Sequence, residues 1–411
     1  MMAVIKKSRI SGSVTAPASK SHAIRLVMYS LIGCANIQGL PDSSDVTVAV
    51  DLVGRLGIIR NGDVFSRHGR DLKHRADLYF GGSGTTLRMA LPMLAYLGGE
   101  FTIDGDETLR ARPVREEIRA LSEAGVSFSS DSIPLRMSGR ANTDHITIKG
   151  SESSQSISGL IYALLMNGGG SIQIVPPIVS RHYIDLTCSI LASLGADISF
   201  SGNVVRINGG DMKEYSGRVP GDYLLSSFYA AAAYATGGHV SISGLPEQER
   251  WWGDHSIVGI LQENGVESSF QDGTWHVVSS GSGKGMIIDI SQSPDMAVSI
   301  AAFAPFLTGA TTISGTEGLK SKESNRIRTI AETLSAFGVN ARTDDSITID
   351  GQPSVKNPAL DAAGDHRIAM LSSVLSLYAG GKIMGAECVS KSNPQFYRDL
   401  ASIGGDITLA Q

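Results

Sequence analysis

The chain has 411 residues, of which 42% are hydrophobic and 18% are charged, and its formal net charge is −5. This length exceeds what one ordinary hydrophobic core holds, so we expect a folded, soluble protein of two domains. The net negative charge argues against a general nucleic-acid-binding protein, because such proteins are usually basic.

The cysteines and the apolar runs indicate the compartment. Cys34, Cys188 and Cys388 are scattered and stand outside any CxxC or His-rich motif. This spacing argues against a disulfide framework or a structural zinc site and favours a reducing compartment. The basic residues near the N-terminus precede no apolar run, so we expect no signal peptide, and no apolar run is long enough to span a bilayer. We therefore expect a cytoplasmic protein that binds no metal and contacts no membrane.

The first informative stretch is residues 16–25. Pro17 ends the preceding strand pattern, Ser19-Lys20-Ser21 follows, and an apolar run at helical spacing begins at Ile24. Free N–H groups at a helix start, together with two hydroxyls, a lysine and Arg25, would bind a phosphate or a carboxylate. The alternative is an ordinary capped surface helix with solvated charges.

One pattern recurs six times: an aliphatic residue, three others, a glycine, and then a strand-like run. The glycines follow one another at intervals of 68, 70, 70, 73 and 66 residues and are Gly57, Gly125, Gly195, Gly265, Gly338 and Gly404. Glycine adopts the left-handed conformation that commonly ends a helix. The pattern predicts six α+β repeats of two helices and three or four strands, three in each domain, with sheets outside and helices inside or the reverse. The Gly- and Pro-containing segment 217–222 is predicted to link the two halves.

Hydroxyl, amide or cationic side chains stand at many other predicted turn-to-helix junctions. The glycine-rich segment 80–88 begins a helix and has bare backbone amides, but no Gly-Lys-Ser/Thr closes it, so it is not a Walker A loop. Each junction alone also fits a plain turn, a cap or a solvated surface. The remaining junctions are residues 109–115, 152–155, 179–183, 293–295, 320–328, 364–367 and 390–392.

These junctions bring many cations to an acidic protein. Grouped around one cleft, they would repel one another unless the ligand carried comparable negative charge, as two small phosphorylated carboxylic acids would. Asp295 and Glu323 stand among them and are expected to stay ionised, which suits proton transfer better than metal binding. The cations are Lys20, Arg25, Arg88, Arg112, Lys322, Arg326, Arg367 and Lys391.

With these motifs, the chain resembles the 5-enolpyruvylshikimate-3-phosphate synthase family along essentially its whole length. The resemblance implies an α/β (α+β) fold, a two-domain inside-out α/β barrel of six repeats with buried helices and outer sheets. It also implies a double crossover, with a C-terminal-type domain of residues 1–13 plus 220–411, an N-terminal-type domain of residues 14–219, and the active site in the cleft between them. The motifs that carry it are Ser19-Lys20-Ser21, Gly81 to Arg88, Arg110 to Pro113, Ser153-Ser154-Gln155, Pro294-Asp295, Lys322 to Arg326, Asp365-His366-Arg367 and Lys391.

The resemblance also implies a reaction. The enolpyruvyl group of phosphoenolpyruvate would be transferred to the 5-hydroxyl of shikimate 3-phosphate by addition and elimination, with release of phosphate, in the shikimate pathway to chorismate. A cytoplasmic monomer that closes on shikimate 3-phosphate is expected, with no cofactor, metal, nucleic acid or membrane partner.

The site residues are carried over from the same resemblance. Asp295 would take the hydroxyl proton, and Glu323 with Lys20 would transfer protons at the substrate carbon. Shikimate 3-phosphate would be held by Lys20, Ser21, Arg25, Ser153, Ser154, Gln155, Ser180, Asp295 and Lys322. Phosphoenolpyruvate would be held by Lys20, Gly84, Arg112, Gln155, Arg326, Arg367 and Lys391.

The sequence departs from the family pattern at Gly82, Met89 and Gly318, where many members have Asn, Pro and Asn. Three other functions are weighed against the family's reaction. A sister enzyme that acts on UDP-N-acetylglucosamine usually has Asn at the position of Ser21 and Cys at that of Glu107. A non-catalytic protein that binds anionic metabolites would not need two acids among the cations. A nucleic-acid-binding protein would need positive charge or stacking aromatic residues.

Overall fold

The computed structural model of the chain describes residues 1–69, 71–248 and 253–410. The chain divides into two compact units, unit 1 with Met1–Ser19 and Pro220–Gln411, and unit 2 with Lys20–Val219. The sequence placed the boundaries at 13/14 and 219/220. The first one falls at 19/20 because residues 11–15 form a strand that pairs with residues 239–243 of unit 1.

The elements are short and alternate along the chain. The strands are β1 (Met2–Lys6), β2 (Ser11–Thr15), β3 (Ala35–Gln38), β4 (Ile59–Asn61), β5 (Val64–Ser66), β6 (Arg75–Tyr79), β7 (Gly99–Asp104), β8 (Ser127–Phe128), β9 (Leu135–Gly139), β10 (His145–Lys149), β11 (Gly170–Val175), β12 (Ala196–Ser201), β13 (Val204–Gly210), β14 (Tyr215–Arg218), β15 (His239–Ser243), β16 (Glu267–Gln271), β17 (Thr274–Val278), β18 (Ile287–Asp289), β19 (Thr311–Ser314), β20 (Asn340–Thr343), β21 (Ile347–Asp350), β22 (Ala359–Asp361), β23 (Gly381–Met384) and β24 (Asp406–Ala410). The helices are α1 (Lys20–Tyr29), α2 (Ser44–Arg55), α3 (Gly84–Leu97), α4 (Glu107–Arg110), α5 (Arg115–Glu123), α6 (Ser154–Met166), α7 (Arg181–Ser193), α8 (Tyr223–Ala235), α9 (Ile257–Glu263), α10 (Met296–Phe303), α11 (Arg326–Ala336), α12 (His366–Ala379) and α13 (Phe396–Ser402).

One βαβαββ arrangement is repeated three times in each unit. In its plainest copy, α3 connects the parallel strands β6 and β7, β9 lies antiparallel beside β7, and β8 forms the edge after α5. The other sheets have the same order, β10-β11-β13-β12 and β14-β3-β5-β4 in unit 2, and β2-β15-β17-β16, β18-β19-β21-β20 and β22-β23-β1-β24 in unit 1. The N-terminal strands β1 and β2 complete two sheets of unit 1, which explains why residues 1–19 belong to that unit.

The six repeat glycines have the predicted conformation. Their φ angles are all positive, between 73° and 109°. Each glycine follows the second helix of its repeat and precedes the edge strand of the sheet. The predicted repeat is therefore confirmed, because glycine ends each helix without the steric cost that a side chain would meet there.

The first helix of each repeat is buried, whereas the second is amphipathic. Every residue of α8 and of α10 is buried, and α3, α6 and α12 are nearly as deep. In α11 the buried residues recur at helical spacing, and strands such as β10 alternate between buried and exposed residues. Helices therefore lie inside each unit and sheets outside. In the described part of the chain the sheets of a unit are separate four-stranded sheets, not one continuous barrel.

The segment predicted as a linker, residues 217–222, is ordered. Gly217 and Arg218 belong to β14, and Asp222 caps α8 by accepting a hydrogen bond from the backbone N–H of Leu225 at 2.9 Å. The crossover at this point is therefore a direct step from a strand to a helix. None of the described helices is long and apolar enough to cross a membrane.

Close packing of α3 against α6 depends on Gly159. A β-carbon at this position would lie 2.5 Å from the carbonyl oxygen of Met89 and 2.8 Å from its Cα. Because backbone atoms do not yield easily, we expect Gly159→Ala to destabilise the protein by roughly 1–3 kcal/mol. Gly54 of α2 is the matched control, since a β-carbon there meets nothing within 4 Å.

Urea denaturation with circular dichroism checks this prediction. Gly54→Ala should raise the midpoint slightly, because alanine is favoured over glycine inside a helix by about 0.5–1 kcal/mol. A Gly159→Ala midpoint equal to that of Gly54→Ala would contradict the packing argument.

Candidate active site

The predicted site residues cluster at the N-terminal ends of the helices. Lys20, Gly84 and Ser154 are the first residues of α1, α3 and α6. The first N–H groups of a helix have no partner within it and need a cap or an anion. Ser153 provides one cap, because its hydroxyl accepts a hydrogen bond from the N–H of Gln155 at 3.1 Å. The buried helices thus present their polar ends where the sequence predicted ligand contacts.

Lys20 is paired with an acid that the sequence analysis did not select. Its Nζ lies 2.9 Å from Oδ2 of Asp45, and the two side chains are 18% and 5% exposed. Asp45 belongs to the first turn of α2, and its carbonyl accepts a hydrogen bond from Thr86 of α3 at 3.4 Å. These contacts hold the Lys20 ammonium group between the starts of three helices.

Arg25 is fully buried and connects α1 to α7. Its Nε donates to the hydroxyl of Thr187 at 2.8 Å, Nη1 to the carbonyl of Ser21 at 2.9 Å, and Nη2 to the carbonyl of Tyr183 at 3.0 Å. An arginine has five N–H donors, so several of them are committed to the protein. Arg25 stabilises the packing around the site, and its contact with a substrate stays a prediction.

The side-chain amide of Gln155 is fixed on both sides. Its Nε2 donates to the hydroxyl of Thr85 at 2.8 Å, and its Oε1 accepts from Nη1 of Arg88 at 3.3 Å. Both partners lie in the first turns of α3. Gln155 is therefore held against the glycine-rich turn that the sequence singled out.

Gly84 allows two arginines to approach the start of α3. A β-carbon at Gly84 would lie 2.9 Å from Nη1 of Arg112 and 3.3 Å from Nη1 of Arg88. Any side chain at this position would displace one guanidinium group. The structure thus places the predicted residues Gly84 and Arg112 next to each other.

Ser180 has an unusual backbone conformation. It precedes α7 in the left-handed region, with φ 52° and ψ 40°, and its side chain is buried. Non-glycine residues pay a steric cost in this region, which is accepted most often at functional sites. The conformation supports the predicted role of Ser180 in ligand binding.

In unit 1 the site is organised around Arg326, which is 1% exposed and contacts three carboxylates. Its Nη1 lies 2.8 Å from Oδ1 of Asp295, its Nη2 2.8 Å from Oε2 of Glu323, and its Nε 2.8 Å from Oδ2 of Asp365. Asp365 also caps α12 by accepting from the N–H of Arg367 at 3.0 Å. Arg326 therefore joins the starts of α10, α11 and α12.

Three further cations contact the same carboxylates. Lys322 Nζ lies 2.9 Å from Oδ1 of Asp295, and Arg367 Nη2 lies 3.5 Å from its Oδ2. Lys391 Nζ lies 3.7 Å from Oε1 of Glu323. With Arg326, four cations thus contact the carboxylates of this cluster.

The protonation states follow from this arrangement. Burial alone would raise the pKa of Asp295, but Lys322, Arg367 and Arg326 together lower that pKa well below its usual range. Burial would lower the pKa of Arg326, yet Asp365, Glu323 and Asp295 raise it. Asp295 is therefore ionised, as the sequence predicted. Its side chain makes no capping hydrogen bond to α10, so ordinary capping does not explain this aspartate.

Three acidic residues that no sequence motif singled out contact groups of the site: Asp45, Glu117 and Asp222. Glu117 of α5 lies 3.3 Å from Nε of Arg88. Asp222 accepts a hydrogen bond from the hydroxyl of Ser19 at 3.1 Å, so this hydroxyl beside Lys20 is used within the protein. All three acids stand at or near the start of a helix that follows a turn. This position in the sequence is the feature from which they could have been predicted.

The predicted residues fall into two sets, one in each unit. The set in unit 2 consists of Lys20, Ser21, Arg25, Gly84, Arg112, Ser153, Ser154, Gln155 and Ser180. The set in unit 1 consists of Asp295, Lys322, Glu323, Arg326, Arg367 and Lys391.

Comparison with known proteins gives one consistent result. The sequence model of the EPSP synthase (3-phosphoshikimate 1-carboxyvinyltransferase) family matches residues 4–400. A 3-phosphoshikimate 1-carboxyvinyltransferase from Sulfurisphaera tokodaii is 47% identical over 409 residues, and one from Saccharolobus solfataricus is 43% identical over 414 residues. Both alignments cover all of this chain and all of the relative.

Solved structures share the fold. An EPSP synthase from Acinetobacter baumannii has a TM-score of 0.82 at 23% identity, covering 100% of this chain and 99% of the other. The enolpyruvyl transferase NikO from Streptomyces tendae has a TM-score of 0.75 at 16% identity, covering 99% and 98% of the two chains. At these identities the likeness shows the fold alone.

The lowered pKa of Asp295 predicts how stability depends on pH. A carboxyl group whose pKa is lower in the folded state stabilises the protein above its unfolded pKa of about 3.9, and the contribution is lost as the pH falls through the folded value. We expect Asp295→Asn to be less stable than the wild type by a constant amount above about pH 5, because the amide cannot balance the three cations. This difference should shrink below about pH 4.

Urea midpoints measured from pH 3 to pH 7 test this prediction. Asp272→Asn, at an exposed turn of unit 1, serves as the control. A difference between the wild type and Asp295→Asn that is independent of pH down to pH 3 would contradict the assignment.

Proposed function

The chain belongs to the EPSP synthase family, and we propose that it transfers the enolpyruvyl group of phosphoenolpyruvate to the 5-hydroxyl of shikimate 3-phosphate and releases phosphate. The observation that carries this proposal beyond family membership is the Arg326 cluster. Asp295, which is ionised, and Glu323 contact the same buried guanidinium group, with Lys322 and Lys391 beside them. A purely anion-binding site has no need of acids at these positions.

The proposed substrate assignments draw on both sets of residues. Shikimate 3-phosphate is bound by hydroxyl, amide and cationic groups at the starts of α1, α6 and α7, with Asp295 and Lys322. Phosphoenolpyruvate is bound by Lys20, the turn at Gly84, and arginines. The full proposed sets are Lys20, Ser21, Arg25, Ser153, Ser154, Gln155, Ser180, Asp295 and Lys322 for the first substrate, and Lys20, Gly84, Arg112, Gln155, Arg326, Arg367 and Lys391 for the second.

The chemistry is an addition followed by an elimination. A proton added to the methylene carbon of phosphoenolpyruvate creates a cationic centre at the neighbouring carbon, and the 5-hydroxyl oxygen attacks this centre. Asp295 accepts the hydroxyl proton, which its ionised state permits. The tetrahedral intermediate then loses a proton from the new methyl group and expels phosphate. Glu323 and Lys20 carry the proton to and from this carbon.

The sister reaction with UDP-N-acetylglucosamine fits the sequence less well. Ser21 stands at the start of α1 where that family usually has Asn, and Glu107 begins α4 where it usually has Cys. We extend the proposal to a cytoplasmic monomer that closes on shikimate 3-phosphate and works without metal or cofactor.

A direct assay tests the reaction. Purified protein should release inorganic phosphate when phosphoenolpyruvate and shikimate 3-phosphate are supplied together, and none with either substrate alone. With UDP-N-acetylglucosamine in place of shikimate 3-phosphate, phosphate should stay at background. Release with the sugar nucleotide only would reject the proposal in favour of the sister reaction, and binding of both substrates without release would favour a binding protein.

The catalytic assignments predict a separation of turnover from binding. Asp295→Asn and Glu323→Gln remove a proton-transfer group with little change in shape, so kcat should fall by more than about tenfold while substrate affinity changes less. Steady-state kinetics and calorimetric binding measure the two quantities separately.

Glu332→Gln is the control for this pair. Glu332 lies on α11, the helix that begins at Arg326, but its side chain is 64% exposed and forms an ion pair with Arg328 at 3.6 Å. Its kcat should match that of the wild type. Turnover of either active-site variant within about tenfold of the wild type would reject that residue's role.

A further inference from the structure

A buried ion pair next to Gln155 suggests a role for Glu117, and the argument rests on the proposed function. Glu117 belongs to α5, is 2% exposed, and its Oε1 lies 3.3 Å from Nε of Arg88. The same carboxylate accepts a hydrogen bond from the hydroxyl of Ser156 on α6. Glu117 thus connects α5 to the first turns of both α3 and α6.

Burying a carboxylate is costly unless it is paired, and packed hydrophobic residues often stabilise a core as well as an ion pair does. Stability alone therefore gives no reason for a buried Glu117–Arg88 pair. The other contacts of Arg88 indicate what the pair does. Nη1 donates to Oε1 of Gln155 at 3.3 Å, and Nη2 donates to the carbonyl of Pro113 at 3.0 Å.

These contacts determine the orientation of the Gln155 amide. Its oxygen faces Arg88 and its nitrogen faces Thr85, at 2.8 Å. If Arg88 rotated away, Thr85 alone would not decide which way the amide points, because a hydroxyl both donates and accepts. Glu117 holds Arg88 in the rotamer that fixes Gln155.

The positive charges of the two arginines beside Gly84 support the same role for Glu117. Nη1 of Arg88 and Nη1 of Arg112 lie within 3.3 Å and 2.9 Å of one point, the position of a β-carbon on Gly84. Two guanidinium groups so close repel each other. The Glu117 carboxylate, 3.3 Å from Nε of Arg88, offsets part of this positive charge and so reduces the repulsion on Arg112.

We propose that Glu117 is a positioning residue for phosphoenolpyruvate binding, which acts through Arg88 on Gln155 and on the spacing of the two arginines at Gly84. Glu117→Gln should raise the KM for phosphoenolpyruvate by about tenfold and change kcat much less, because it weakens ground-state binding. In a Gln155→Ala background the same substitution should raise this KM by less than about threefold, because the Gln155 amide, the main group through which it acts, is gone and only the spacing of the two arginines is still affected.

Glu116→Gln is the matched control. Glu116 precedes Glu117 on α5 and is also buried, but it pairs with Arg119 at 2.6 Å and with Lys149 at 3.7 Å. Its loss should lower the thermal midpoint and leave the KM for phosphoenolpyruvate within about twofold of the wild type. A merely structural Glu117 would behave in the same way.

Two further measurements keep the proposal testable. The double variant Arg88→Met/Glu117→Leu removes the buried charges together, so it should fold and still show the raised KM. The side-chain amide signal of Gln155, labelled with nitrogen-15 and assigned by its absence in Gln155→Ala, should shift in Glu117→Gln and stay in place in Glu116→Gln.

The outcomes separate this inference from the proposed function. A wild-type protein that releases no phosphate would reject the reaction, while the amide signal would still show whether Glu117 fixes Gln155. An unshifted signal, an unchanged KM, or an undiminished effect in the Gln155→Ala background would overturn the role of Glu117.

Discussion

The constraint on which the structure depends is that the first helix of every repeat lies inside its unit. Such a helix is surrounded by apolar side chains, as α8 and α10 show along their whole lengths. Its free backbone N–H groups must therefore be satisfied at its first turn, by caps or by anions. Polar groups are therefore concentrated at the helix starts, and the proposed binding residues are found there.

Arg326, at the start of α11, is a buried charged group of this kind. A guanidinium group that is 1% exposed would be costly without partners, and three carboxylates surround it. Two of them, Asp295 and Glu323, are the proposed proton-transfer groups. The same ion pairs that stabilise unit 1 thus hold Asp295 ionised, so the cluster serves stability and the proposed chemistry together.

The repeat was predictable because its signal is local and recurs. Gly57 and its five counterparts each end a helix through their own backbone conformation, which needs no knowledge of the rest of the chain. The motif residues Gly84 and Arg112 were likewise predictable, and the structure places them side by side. The family resemblance supplied their proposed roles, which spacing alone does not reveal.

Tertiary pairing was not predictable in the same way. Asp45 and Lys20 are 25 positions apart, and only the packing of α2 against α1 brings their charges to 2.9 Å. The segment 217–222 looked like a linker because glycine and proline favour turns, yet β14 finds a parallel partner in β3, far away in the sequence. The first domain boundary lies at 19/20 and not at the predicted 13/14 for the same reason, since β2 pairs with β15 across more than 200 residues.

These pairings also change how the cations act. Considered from the sequence alone, eight positive charges demand a strongly anionic ligand to offset their repulsion. In the structure Lys20, Arg88 and Arg326 already have carboxylates within 3.3 Å, so the protein tolerates the cluster by itself. If these cations bind the proposed substrates, the substrate phosphate competes with protein carboxylates for them, and its net gain in binding free energy is smaller than an uncompensated cluster would give. Discrimination between substrates must come from how these groups are oriented, which makes the acids that hold the cations as important to binding as the cations themselves.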